Sequence, residues 1–460
     1  GGYNQFNHCD LDQGSFVYDA YGVRWAKELG SGNYNAPGYF SRGNNGQRWT
    51  YYKKRAEGQN TFVINPGKGP DQYPSARSYI ERFETNPNQT GALSVVNLTE
   101  AYADDVFSAR RGFSLTNNKN DFLVQDEVKN RMPSDYWWFM HTDADIEIAE
   151  DAKSAILRKD GRKVYAQILS EDGQFTVRKA EPLPTSPDAD QTFDSTVKLT
   201  VHLEQALDVN LAVRLVPLMS DEDIPTDQPE VIGLDDWNLE EEELLYPDEI
   251  LVGDTEIPDF NRYIRFYQVT LPYGSTAVPQ VEAITKNPDI SASVELPNAL
   301  PGTAKITITS KSDAKRKNTY YIELKADTGI TCSTEQEGNW AEHSIDGDLE
   351  TRWASEGNQW IQYYIGGEYM IDGVSIACYR GDERNYYFDI LVSSDGENWE
   401  EVLPGIVTKG DTGDLVRYDF PEPKRASHVR IFGHGNNENR WNNIAETVIH
   451  KRGPVEGPSI

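Results

Sequence analysis

Apolar and polar residues alternate in short runs along most of this chain, and Gly, Pro, Asn and Asp separate the runs. Between residues 1 and 273 such runs fall at 61–65, 93–98, 122–127, 144–148, 164–168, 197–203, 210–216 and 263–269. A period of two places successive side chains on opposite faces of a strand, and no long stripe of period 3.6 competes with it. The pattern therefore predicts a large all-β sandwich. Two acidic, proline-containing stretches interrupt it, 188–194 and 220–248, the second containing Glu240 to Glu243. Their composition predicts solvated loops.

Four further alternating runs, 281–284, 291–296, 304–310 and 319–324, turn at Pro301-Gly302 and Ser312-Asp313. They predict a small immunoglobulin-like sandwich over 274–326, most simply a spacer. It resembles the short cadherin-like modules of secreted bacterial enzymes. Residues 327–450 again read as all-β, and 451–460 form a polar tail.

The balance of 74 acidic against 44 basic side chains gives a formal charge of −30. That charge argues against nucleic acid and against an anionic membrane surface, both of which need a basic face. It also means that a polyanionic substrate needs a locally basic groove. No run of eighteen apolar residues predicts a membrane span. Gly1-Gly2-Tyr3 carries neither a charged nor an apolar leader region, so a signal peptide is expected to be absent or already removed. Cys9, Cys332 and Cys378 are too few and too dispersed for a disulfide framework. The 25 Tyr and 10 Trp suit stacking on sugar faces, as well as ordinary core packing.

Candidate chemistry gathers at the start of the chain. In Asn7-His8-Cys9-Asp10-Leu11-Asp12, the residues His8, Asp10 and Asp12 alternate with others, so a strand would project all three from one face. Short strands at 16–20 and 23–26 would bring Glu28 back beside them. The row is either ligand-like or catalytic, or simply solvated residues near a chain end. Arg24, Arg48, Lys53, Lys54 and Arg55 are the notable basic set nearby. They are candidates for meeting carboxylate or sulfate groups; the alternative for Lys53 to Arg55 is the solvent side of a strand edge. Tyr34, Tyr39, Tyr51 and Tyr52 include candidates for a cleft tyrosine, with Tyr39 taken as a substrate contact; burial is the alternative for each. His141, in an apolar run, reads best as a satisfied core histidine.

In the third unit, Asp346-Gly347-Asp348-Leu349-Glu350-Thr351 sets carboxylates and a hydroxyl in a tight glycine turn, which suits a hard cation. Ser394-Asp395-Gly396-Glu397-Asn398-Trp399 reads as a hairpin with an Asp-Gly turn. With Trp441-Asn442-Asn443-Ile444-Ala445-Glu446, these motifs resemble the discoidin, or coagulation factor V/VIII C-type, domain. The resemblance implies a calcium held near Asp346, Asp348, Thr351 and Glu446, and a loop surface that binds sugar. Arg380, Arg384 and Trp441, with Tyr379 and His434, are the side chains suited to that surface. Trp353 and Trp360 are expected in the core.

The first unit resembles the heparinase II/III-like β-domain. The match runs through His8 to Phe16, Gly22-Val23-Arg24-Trp25, Glu28-Leu29-Gly30, Tyr34 to Phe40, Arg48 to Tyr52, Glu57 to Thr61, Val124 to Glu127 and Phe139 to Thr142. The resemblance implies a polysaccharide lyase that cleaves uronic-acid glycans by β-elimination. It implies an (α/α) toroid ahead of the β-domain, absent from this sequence and expected as an N-terminal helical domain or chain. It also implies that His8 faces the cleft as a catalytic or substrate-binding histidine. Where the family holds a metal with two histidines and an aspartate, this chain has Asp10, Glu28 and Gln59. That oxygen-only set makes zinc unlikely and leaves calcium, another hard cation, or a metal-free polar cluster.

Two functions remain open from sequence. One is the C-terminal part of an extracellular polysaccharide lyase, secreted or at the cell surface, with a glycan-binding module. The other is a non-catalytic glycan-binding or structural protein that retains the lyase β-domain as scaffold. The fragment alone is expected to be inactive.

Overall fold

The computed structural model describes Asn4 and residues 8–187, 195–240 and 242–454. Asn7, the acidic stretch 188–194, Glu241 and residues 455–460 of the polar tail lie outside the described residues. The fold is all-β, and among the described residues the helical elements are short 3-10 turns. The chain divides into two compact units: residues 1–266 with 282–294 and 305–321, and residues 267–281 with 295–304 and 322–460.

The first unit opens with a hairpin, Tyr18–Ala20 and Val23–Ala26. Its two-residue turn has Tyr21 at φ 52° and Gly22 at φ 75°, the double positive φ of the turn whose twist matches paired strands. A ten-stranded antiparallel sheet follows. Its order is Tyr79–Thr85, Ala92–Asn97, Val106–Thr116, Asp121–Thr142, Val197–Leu218, Arg162–Ile168, Ser154–Lys159, Asp145–Ile148, with Phe175–Lys179 and Phe62–Ile64 pairing from the side. The runs predicted at 197–203 and 210–216 are one strand of 22 residues, as are 122–127 and the segment around His141. These two long strands pair with each other, and register shifts near Ala206 bend them.

Alternation along Asp121–Thr142 builds two cores. Tyr136, Trp138 and Met140 join Trp25, Phe62, Leu199 and Leu211 in the main one. Trp137 and Phe139 face the other way, onto Leu11, Trp49, Ala56, Val63 and Leu183. The outer face of the sheet is thus covered by the irregular segment near residue 11 and by the turns Gln47–Thr50, Tyr52–Lys54 and Ala56–Gly58.

The acidic stretch 220–248 departs from the solvated loop its composition suggests. Leu234 and Trp237 are buried against Leu93 and Val95, and Leu245 and Tyr246 are buried as well. The Glu242 carboxylate accepts the backbone N–H of Asn117 at 2.7 Å and of Asn118 at 2.6 Å. Apolar residues spaced among the acids anchor the segment, while most of its charge stays outside.

Thr255–Glu256, Glu249–Val252 and Val281–Ile284 form a three-stranded sheet, and Phe266–Leu271, Lys317–Ala326, Gly302–Ser310 and Ile290–Glu295 a four-stranded one. These sheets therefore draw on strands before residue 274. In the second unit a seven-stranded sheet runs Trp353–Glu356, Trp441–Pro454, Gln359–Cys378, Val416–Asn436, Tyr386–Ser393, Glu400–Val407, with Ile330–Cys332 beside Gln359–Cys378. Its core is built on Trp353, Ile361, Tyr363, Val374, Ile390 and Ile431.

Candidate functional site

The segment carrying His8, Asp10 and Asp12 is not a strand, contrary to its alternation. Side chains and one main-chain carbonyl from elsewhere satisfy its backbone in place of a ladder. Arg48 Nε donates to the Cys9 carbonyl at 2.9 Å, the Leu11 N–H donates to the Lys54 carbonyl at 3.0 Å, and Gln72 bonds both the N–H and the carbonyl of Gln13. The inside-outside alternation survives without the strand, since Leu11 and Gln13 are buried and Asp12 is exposed. His8 is exposed at φ 65°, with its ring 5.6 Å from that of Tyr34 and 5.9 Å edge-on from that of Phe40. Tyr34 and Phe40 are half open to solvent, at 50% and 49%. An imidazole and two aromatic faces therefore stand together at the surface.

Beneath them the predicted substrate contacts turn inward. Arg48 is fully buried, donates to Asp10 at 3.0 Å and to the Tyr39 carbonyl at 2.8 Å, and lies 4.6 Å from the Tyr39 ring. Tyr39 is itself buried. Both are corrected from substrate contacts to supports of the layer below His8, because burial places them out of reach of a polymer. Arg24 sits on the exposed face of the hairpin with its guanidinium on both oxygens of Asp19, at 2.7 and 2.8 Å. Lys54 and Arg55 are buried too, so neither is a solvent edge or an open anion contact, and only Lys53 of the basic run 53–55 is partly exposed. Arg55 is held by Asp71, which also accepts the Glu57 N–H at 3.0 Å.

The expected metal trio does not assemble. Asp10 gives both carboxylate oxygens to Lys54 Nζ at 2.9 Å as well as one to Arg48. Gln59 is buried and donates its amide to the Lys53 carbonyl at 2.8 Å, and Glu28 is exposed. With Asp10 engaged by two cations and Gln59 turned to backbone, these residues do not fit a divalent ion. Among the described residues no group of three or more His, Cys, Asp or Glu is arranged to hold one. Asp12 keeps its surface open while the surrounding chain crowds it. Desolvation, then the charges of Asp10 and Glu28, push its carboxyl up to about 6.

His141 is the core histidine the sequence suggests. It is fully buried, with Tyr52 Oη 2.8 Å from Nε2 and its N–H donating to Asn60 Oδ1 at 2.7 Å. Burial, with Lys198 and Lys27 nearby, drives its pKa well below the usual histidine value, so it stays neutral. Sequence reasoning missed Asn60 and Arg111. Asn60 also donates to the carbonyls of Phe16 and Lys27 at 2.8 and 2.9 Å. Arg111 forms a buried fork on Asp126 at 2.6 and 2.7 Å while donating to the carbonyls of Gly14 and Asn60 at 2.8 and 3.1 Å. Partners so distant in sequence leave no local signal.

An open groove of about 970 Å³ elsewhere in the first unit contains none of the predicted site residues. Glu127, Glu171, Asp172, Asp208, Glu230 and Asp235 line it against Arg110 and Lys129, and an acidic wall repels a uronate polymer.

In the second unit the glycine turn and Glu446 do come together. Asp346 accepts the Thr351 hydroxyl at 2.7 Å and the Asp348 N–H at 2.9 Å, and Gly347 N–H donates to Glu446 at 3.0 Å. Burial and the charge of Asp346 push the Glu446 carboxyl up. Both oxygens of Asp346 and one of Glu446 are thus engaged by donors of the turn itself. Arg380 is exposed and 3.7 Å from Glu383, Arg384 pairs with Glu438 at 2.7 Å, and Trp441 is partly exposed. Trp353 is fully buried, whereas Trp360 is partly exposed with Arg430 4.4 Å above its ring.

Residues 1–224 match the family described as heparinase II/III-like, C-terminal. The chain carries a heparinase II/III-like C-terminal domain. Residues 329–447 match the F5/8 type C domain, the discoidin family. Together these are the parts of a polysaccharide-degrading, glycan-binding protein. No curated protein matches the chain. Among solved structures it is similar to the CBM32 of AlyQ in complex with 4,5-unsaturated mannuronic acid, at 37% identity over 26% of this chain and 92% of that one, TM-score 0.25. It is similar also to a truncated AlyQ with CBM32 and alginate lyase domains, at 36% over 28% and 33%, TM-score 0.26. A pectin-binding carbohydrate-binding module matches at 28% over 28% and 92%, TM-score 0.26. Among the described residues no helix is long and apolar enough to cross a membrane.

Proposed function

We propose that this chain is the C-terminal part of an extracellular polysaccharide lyase that cleaves uronic-acid-containing glycans by β-elimination. The observation that carries the reading is the exposed imidazole of His8 beside the open faces of Tyr34 and Phe40, within the heparinase II/III-like match. The proton at C5 of a uronate is weakly acidic. Its removal needs the carboxylate charge neutralised, a base within hydrogen-bond reach and an acid for the departing oxygen. His8 supplies proton transfer or a hydrogen bond to substrate, and the aromatic faces seat the sugar. The remaining groups come from a helical toroid, in the same polypeptide or in a partner chain. The F5/8 type C module, with calcium held by Asp346, Asp348, Thr351 and Glu446, keeps the catalyst on its polymer by raising effective concentration.

Release of unsaturated uronic ends, followed by ultraviolet absorbance on alginate, pectate, heparan and chondroitin, tests this. The chain alone is expected to be silent. Joined to its toroid it is expected to turn over, and His8→Ala to slow turnover by roughly 10²–10⁴-fold. Full turnover in His8→Ala removes His8 from the chemistry. Binding without turnover by the joined protein favours the non-catalytic glycan-binding scaffold instead.

A further inference from the structure

We propose that the ammonium of Lys54, backed by the guanidinium of Arg48, is the resident cation of the first-domain polar cluster and holds the His8 segment in place without a metal ion. Lys54 Nζ lies 2.9 Å from each oxygen of Asp10 and 3.5 Å from the Gly30 carbonyl. It has several oxygen partners around one buried positive centre, as a bound ion would. Lys54 is 3% exposed and Arg48 0%, so neither cation is a mobile surface group.

Three consecutive residues behind His8 are gripped by this pair. The Cys9 carbonyl accepts from Arg48, the Asp10 carboxylate from both cations, and the Leu11 N–H donates to the Lys54 backbone. The Tyr39 ring lies 4.6 Å from the Arg48 guanidinium and 5.8 Å from Lys54 Nζ, so its face contributes a cation–π contact. Two cations already sit on one carboxylate. A divalent ion would add charge of the same sign at contact distance and would have to expel Lys54, while Gln59 spends its amide on the Lys53 carbonyl. Lys54 and Arg48 are thus positioning residues, acting through the segment they brace.

Lyase turnover does not enter the test, whose readouts are metal content and unfolding. The full chain, carrying Asp346→Asn throughout so that the turn 346–351 offers no second cation site, is exposed to zinc or manganese, dialysed and assayed by elemental mass spectrometry, and thermal unfolding is followed with Lys54 intact (the wild type for this purpose), with Lys54→Met and with Lys54→Arg. The expected result is no stoichiometric zinc or manganese. Lys54→Met is expected to lower the unfolding midpoint by roughly 5–10 °C, because it strips one cation from a largely buried carboxylate, and Lys54→Arg to recover most of that loss. One equivalent of either metal retained by the wild type, with a fall in midpoint on chelation, overturns the proposal. A Lys54→Met midpoint equal to that of the wild type overturns it too. If Lys54→Met yields no folded protein, the wild-type metal content and the Lys54→Arg midpoint decide between the same two results.

Discussion

Asp12 shows how one side chain can be open to solvent and still carry an altered charge. Its folded value of about 6 lies above the ordinary 3.8, because desolvation and the neighbouring Asp10 and Glu28 disfavour its anion. The native state therefore holds this proton longer than the unfolded chain does. The group's stabilising contribution is present below pH 3.8 and is lost as pH rises through about 6. Asp12→Asn, which mimics the protonated form, is expected to keep a higher unfolding midpoint than the wild type above roughly pH 6, with the two converging toward roughly pH 4. Midpoints that run parallel across that range would show that Asp12 titrates as an ordinary surface carboxyl. Asp12 is therefore a group whose charge changes in mildly acid solution.

At the scale of elements, the irregular layer over the sheet is held by charges that reach across it. Arg111 lies on the strand Val106–Thr116 and Asp126 on its neighbour Asp121–Thr142, and their fork extends to Gly14 and Asn60 in the covering segment. A buried pair of this kind is weak evidence of net stability, but losing one partner is costly, so it fixes which segment covers the sheet. The turn 346–351 is the corresponding element of the second unit, where Glu446 is raised by burial and by Asp346. Calcium at about one hundred times its dissociation constant is expected to stabilise this module by about 2.7 kcal/mol. Calorimetry should show that shift in the wild type and its loss in Asp346→Asn. Equal midpoints with and without calcium in the wild type would leave the turn as a hydrogen-bonded loop.

For the molecule as a whole, a charge of −30 sets the long-range field that any polyuronate meets. The basic side chains that might have offset it near His8 are spent internally, Arg48 and Lys54 on Asp10, and Arg55 on Asp71. Binding of a polyuronate is therefore expected to strengthen as salt rises from about 10 to 150 mM, because screening removes repulsion faster than it weakens the few local contacts. Isothermal titration at the two salt concentrations measures this. Weaker binding at higher salt would reveal a basic contact surface that outweighs the net charge.

Alternation determined the all-β class and most strand positions, because a period of two has one structural meaning wherever a sheet face is buried. Motifs such as Asp346 to Thr351 and His8 to Phe16 pointed to the two families, because their turns and side chains are local. What only the tertiary structure decided was the company each charge keeps. Read in sequence, Arg48, Lys54 and Tyr39 are equally a substrate groove or a buried brace. Asp10 likewise reads as a ligand until Lys54, 44 residues away, is seen on both its oxygens. The alternating row at His8 gave no strand for the same reason: the groups that satisfied its backbone, Arg48 and Gln72, come from elsewhere in the fold. Local pattern specifies what a segment can bury, whereas long-range pairing specifies which charges remain free to meet a substrate.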